Sequence, residues 1–258
     1  MATLADHLAA RPFTLSLSAG FFGFFAHAGF LAALAERGLR PKRIVGVSAG
    51  ALAGGAYAAG VDPMHLRARL FALRKSDFWD PGLHVDGLLA GHRFAERLAE
   101  LLGAPRPAAD LPIPFASVAY DVGARRPAVL EGEVPIDVAI RASCAVPLMF
   151  RPVRFAGRTY VDGGVADRWG EAALGDARWV LVHYLPSRSP WRRIVPARRR
   201  GPPSGHRFAV VETHAPRVGP NRLDVGPAAY EAAYARARAA LDAPYEPPAA
   251  TARPPRAG

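Results

Sequence analysis

Two short stretches hold residue types that can do chemistry together. Gly46-Val47-Ser48-Ala49-Gly50 sets a serine between glycines, where the β-branched run Arg43 to Val47 gives way to the small-residue run Ala49 to Gly60. Asp162-Gly163-Gly164 ends an apolar run with a carboxylate, on a turn whose glycines can approach another backbone. A serine hydroxyl is a poor nucleophile at neutral pH; it needs a base within reach and donors for the oxyanion. A G-x-S-x-G between strand and helix supplies that geometry. Its glycines permit a strained turn that exposes the serine, and the helix N-terminus favours negative charge nearby. Each stretch also fits a plain glycine turn, so neither fixes a function alone.

Histidine is the other candidate base. A Ser-His-Asp triad would draw on His183, inside an apolar run, or on His206 or His214, in or beside an Arg/Pro-rich stretch. None of the three has a distinctive context. His27 falls in a helical pattern and reads as a packed residue. Cys144, the lone cysteine, excludes an internal disulfide and a Cys-cluster metal site, and reads as a small core residue. No metal or cofactor is expected. Ser18-Ala19-Gly20-Phe21-Phe22-Gly23 can turn several N–H groups toward one point. It lacks the G-x-G-x-x-G and G-x-x-x-x-G-K-[ST] patterns, which argues against a nucleotide site.

The elements that would position these residues follow from periodicity. Phe13 to Ser18 alternates apolar and hydroxyl residues and predicts a strand. Phe24 to Gly38 has helical spacing and stops at glycine. Arg43 to Val47 is a second strand, and Ala49 to Gly60 a helix of small residues. Strand, helix, strand, helix implies parallel strands with right-handed crossovers, an α/β fold. Further along, Pro63 to Trp79 and Gly91 to Gly103 predict helices. Ile113 to Val122 with Arg126 to Gly132 predicts a hairpin, and Pro135 to Pro147 a short helix. Val153 to Gly164 reads as a second hairpin, Ala177 to Pro186 as a buried strand and Val225 to Pro244 as a late helix. The domain reading is an N-terminal extension at 1–12, one domain at 13–244 with an Arg/Pro-rich loop at about 187–206, and a disordered tail at 245–258.

The chain has 258 residues and a formal charge of +11, almost all of it arginine, as GC-rich bacterial coding produces. The alternative reading of that charge is attraction to anionic lipid surfaces. No zinc, RRM or helix-turn-helix pattern supports nucleic acid. The N-terminus shows no signal peptide. Ala19 to Ala35 and Val45 to Val61 are short for a span of about 20 apolar residues and read as buried helices. The expectation is a cytoplasmic protein, peripheral at a membrane where the charge acts on lipid. Oligomeric state is not set.

Together, the serine elbow with its small-residue helix, "AIRASCAVPLMFRPV" and "VRFAGRTYVDGGVADRWG" resemble the patatin-like phospholipases, Ser–Asp dyad acyl hydrolases, from about Phe13 to Gly164. The resemblance implies a three-layer α/β/α fold around a central, mostly parallel sheet. It implies Ser48 as nucleophile and Asp162 as its direct base. An oxyanion hole would come from the N–H groups of Ala19, Gly20 and Phe21, with Gly23, Gly46, Gly50, Gly163 and Gly164 supporting the turns. The substrate would be a lipid or other ester, cleaved through an acyl-enzyme. The stretch at Ser18 lacks the family's leading glycines and its basic residue. "GFFGFFAHAG" is nearer the Phe-rich form of animal members, and Phe21, Phe22, Phe24 and Phe25 can line an acyl site or serve as plain core. A non-catalytic lipid-binding protein is the reading that this departure leaves open.

Overall fold

The computed structural model describes residues 1–82, 86–186 and 201–247. Five mutually parallel strands form the larger part of its sheet: β1 (Thr14–Leu17), β2 (Arg43–Val47), β3 (Phe115–Asp121), β7 (Val180–Tyr184) and β8 (Phe208–Glu212). Three antiparallel strands, β4 (Arg126–Leu130), β5 (Val153–Phe155) and β6 (Arg158–Asp162), extend it beside β3. The order is β5-β6-β3-β2-β1-β7-β8, with β4 also on β3. The central strands are buried on both faces, so they read as apolar runs.

Alternation along those strands sends side chains to two layers. Leu15, Leu17, Ile44, Phe115 and Leu181 pack under α2 (Phe24–Glu36), α3 (Ala49–Ala58), α6 (Ile136–Ser143) and α8 (Gly226–Asp242). Val45, Val47, Ala116, Val118, Val180 and Val182 face the other way, where Trp169 and the short α7 (Glu171–Leu174) are among the described residues that cover them. The fold is therefore α/β/α, with one layer thin among the described residues. α2 lies so close to α8 that a Cβ on Gly29 would meet the Tyr230 carbonyl oxygen at 2.2 Å.

Three features differ from the pattern in the sequence. α4 (Pro63–Phe71) ends well short of Trp79, and a 3-10 turn (Lys75–Asp77) replaces its last part; the Asp77 carboxylate accepts the Arg74 N–H at 2.7 Å, a local bond that competes with helix. Strand β8 follows directly on the Arg/Pro-rich stretch that hid it. Residues 1–12 contain α1 (Leu4–Ala9), capped by Thr3, with Leu4 and Leu8 buried in the main core. Tyr245 donates its N–H to Ala2 at 3.0 Å. Most of the Arg/Pro-rich loop, 187–200, and of the expected tail, 248–258, lies outside the described residues. α5 (His92–Leu102) leans toward α6 beside the site. Among the described residues no helix is long and apolar enough to cross a membrane; the two stretches tested for that are α2 and α3.

Candidate active site

Ser48 sits between the end of β2 and the first turn of α3, at φ 54 and ψ −120. A left-handed φ is strained for a residue with a Cβ and marks functional turns. The flanking glycines make the turn possible. A Cβ on Gly46 would meet the Ala51 Cα at 2.5 Å, and one on Gly50 the Leu17 carbonyl oxygen at 2.1 Å. The elbow is thus wedged against its own helix on one side and β1 on the other.

Three consecutive residues at the end of α6 tie Ser48 to Asp162. The Ser48 N–H donates to Ser143 Oγ at 2.8 Å, and that hydroxyl donates to the Val118 carbonyl at 2.6 Å. Cys144 Sγ donates to the Ser48 carbonyl at 3.1 Å. The Asp162 N–H donates to Ala145 O at 2.9 Å. The sheet register agrees: Val47 pairs with Val118, and Ala119, one step on, pairs with Asp162. Asp162 is buried at 6% exposure and its Oδ1 accepts the Gly164 N–H at 2.7 Å. Gly163 passes so near β3 that a Cβ would lie 2.0 Å from the Val118 oxygen. Ser143 went unnoticed in the sequence, because a serine near a helix end has no special signature until its partners are known.

Burial, and then the nearby Asp162 charge, push the Cys144 thiol well up, so it stays protonated as the donor to Ser48. Its place is the wall of the site rather than the deep core, and it is half-buried.

The expected oxyanion donors do not all survive. The Ala19 N–H donates to the Arg168 carbonyl at 2.7 Å and is spent; this corrects the reading of Ala19 as a donor. Gly20 and Phe21 follow it, and among the described residues their N–H groups make no hydrogen bond. Ala49 is the first residue of α3, so its N–H stands in the position where a helix N–H has no partner within its own helix. A Cβ on Gly20 or Gly23 would approach the Leu185 Cδ1 at 2.9 and 2.5 Å, so Leu185 would have to turn away. Gly164 closes the ring: a Cβ there would come 2.8 Å from the Ala19 Cβ.

Ser48 opens onto a cavity of about 300 Å³, at the small end of ligand sites. Gly20, Phe21, Phe22 and Phe24 line it, with Leu70 and Phe78, with Leu98 and Leu101 of α5, and with Arg69 and Arg97. Of the four phenylalanines, Phe25 is plain core at 1% exposure, while Phe21 is 59% exposed. Among the described residues no histidine lines the cavity. His183 is buried in β7, with one ring nitrogen on His27 and the other on Thr213. His206 is exposed, and exposed His214 pairs with Glu212 at 2.9 Å. His27 is fully buried in α2. Among the described residues no cluster of His, Cys, Asp or Glu could hold a metal ion.

The family model described as patatin-like phospholipase matches residues 15–170, which holds both Ser48 and Asp162. The chain belongs to the patatin-like phospholipase family. Among similar proteins is an uncharacterized NTE family protein of Mycobacterium bovis, 36% identical over 155 residues, 59% of this chain and 42% of the relative. The lysophospholipase nte1 of Emericella nidulans is 29% identical over 170 residues, 64% of this chain and 11% of that protein. The chain thus spans less than half the length of these curated relatives. VipD from Legionella pneumophila shares the fold at a TM-score of 0.50 and 13% identity, over 88% of this chain and 67% of VipD.

Proposed function

We propose that the chain is a lipid acyl-ester hydrolase that uses Ser48 and Asp162 as a dyad. Ser48 Oγ attacks the ester carbonyl while its proton passes to the Asp162 carboxylate. The tetrahedral oxyanion is held by the N–H groups of Gly20, Phe21 and Ala49. Collapse breaks the ester C–O bond, the proton on Asp162 goes to the leaving alkoxide, and an acyl-serine remains. Water then attacks the acyl-serine, with Asp162 again taking the proton; as the acyl C–O bond breaks, that proton returns to Ser48 Oγ and the fatty acid leaves. The observation that carries this reading is the left-handed Ser48 opening onto an apolar cavity that, among the described residues, no histidine lines. An unperturbed Asp at about 3.9 is a weak base toward serine, so oriented N–H groups must supply much of the rate. The lysophospholipase named among the relatives agrees with a single-chain substrate, and so does the size of the cavity.

The formal charge of +11, with exposed Phe21 and Leu148 beside the cavity residues, supports peripheral contact with anionic lipid. The test is turnover of a chromogenic short-chain ester and of a fluorescent phospholipid in anionic or neutral vesicles. Ser48→Ala and Asp162→Asn should each abolish turnover with folding intact. The phospholipid rate should be higher on anionic vesicles and fall with salt. Activity surviving Asp162→Asn but lost with a His183, His206 or His214 variant would return the triad. A folded parent inert on both substrates would favour the lipid-binding reading.

A further inference from the structure

The acyl-transfer chemistry above makes no direct use of two fully buried histidines. His27 Nε2 lies 2.7 Å from the Ser18 carbonyl, and His27 Nδ1 lies 2.9 Å from His183 Nδ1. His183 Nε2 lies 3.0 Å from the Thr213 hydroxyl, and its ring stacks on Phe30 with centroids 4.1 Å apart. A carbonyl only accepts, so His27 Nε2 carries the hydrogen. Neutral His27 then accepts at Nδ1, His183 donates from Nδ1, and His183 Nε2 accepts from Thr213. One arrangement of hydrogens satisfies the whole chain.

That chain ends on the peptide that leads into the oxyanion turn. The Ser18 carbonyl and the Ala19 N–H belong to one planar unit. The first is gripped by His27 and the second by the Arg168 carbonyl, both at 2.7 Å. In the next unit, the Ala19 carbonyl accepts from Arg168 Nη2 at 3.2 Å. In a trans peptide the N–H points opposite to the C=O, so the direction of the Gly20 N–H is set by what holds Ala19 O. Ser18 is fixed further by its N–H to His183 O at 3.2 Å and by the Leu185 N–H to its hydroxyl at 2.8 Å.

We propose that His27 is a positioning residue for the oxyanion hole: with His183 and Thr213 behind it, it fixes the Ser18–Ala19 peptide so that the Gly20 and Phe21 N–H groups face Ser48. This rests on the acyl-hydrolase reading of Ser48. The test uses a fluorophosphonate, whose P=O oxygen would enter the hole as Ser48 is phosphonylated. His27→Ala should lower the limiting labelling rate by roughly tenfold to a hundredfold, the scale set by a misplaced reacting group. The half-saturating probe concentration should stay near that of the parent. His27→Gln, which keeps an N–H near the Nε2 position, should recover most of the rate; a variant harmed only by lost packing would not show this split. Nitrogen-15 NMR of the unmodified protein at pH 7 gives a second measurement that does not depend on any variant folding. It should show His27 protonated at Nε2 alone and His183 at Nδ1 alone. Labelling of the parent and His27→Ala at equal rates would overturn the proposal and leave the Ser48 reading standing. The opposite tautomer at His27 would overturn it too. A folded parent that does not label would instead overturn the reading of Ser48 itself, and the proposal with it.

Discussion

At the residue scale the site is a problem of close approach. Ser48 is held at a positive φ because β2, α3 and β1 meet there, and the glycines are the residues that let them. Gly50 is the sharpest case. A methyl group would sit 2.1 Å from the Leu17 carbonyl oxygen, against backbone that has no rotamer to move. Gly50→Ala should cost on the order of 1–3 kcal/mol, the usual range for forced overpacking. It should lower fluorophosphonate labelling far more than that loss of stability explains, because the elbow itself shifts. Urea unfolding and labelling rate on the same preparation check both. Equal labelling by parent and variant would show that the turn relaxes without moving Ser48. These glycines were legible in the sequence because G-x-S-x-G and Asp-Gly-Gly are local patterns. The loss of Ala19 as a donor was not: it depends on Arg168, 149 positions away, coming back to the oxyanion turn.

At the element scale, legibility followed the length and cleanness of each pattern. α2, β2, α3, β3 with β4, and β7 were read from runs with one period. β8 was missed because Phe208 to Glu212 directly follows an Arg/Pro-rich stretch, and α1 because a six-residue helix gives hardly two turns of pattern. Helical spacing runs on past Phe71, yet the helix ends there, and a separate 3-10 turn follows at Lys75–Asp77, where Ser76 and Asp77 favour a turn. α5 shows what an amphipathic helix can add to a site. Its Leu98 and Leu101 line the cavity together with Phe21, Phe22 and Phe24. Leu101→Trp should fill part of that space from the helix side and leave Ser48 untouched. A short-chain ester should keep its kcat/KM, while a long-chain ester should lose about tenfold or more. Each excluded methylene forfeits about 0.8 kcal/mol of burial, so two suffice. A chain-length series measures this, and a parallel loss on all chain lengths would mean that acyl groups bind elsewhere.

At the scale of the whole molecule, the buried histidines set how stability responds to pH. Burial lowers His27 to about 4, against a smaller opposing pull from its bond to Ser18. Burial also holds His183 well below its usual range, and its neighbour His27 adds to that. Both rings are locked between β7, α2 and the end of β8, with Phe30, Ser18 and Thr213 around them and no carboxylate among their bonded partners. In the unfolded chain each imidazole takes up a proton near pH 6.5. The native rings refuse it, so below that pH the unfolded state binds more protons and stability rises with pH. His27 alone should remove roughly 2 kcal/mol between pH 7 and pH 5, and roughly 3 kcal/mol once the pH is below 4, with His183 adding to the fall. Carboxylates that are more acidic in the native state, such as Asp6 and Asp121, begin to matter only lower, so the window from 6.5 to 5 belongs to the imidazoles. Urea unfolding at pH 7, 6 and 5 is the direct measurement. A steady loss across that window is expected, and a flat profile would mean that the pair already holds a proton in the native state. A shared proton of that kind would add positive charge behind the oxyanion turn without breaking the bond to Ser18, so the pH profile of stability bears on catalysis as well as on folding.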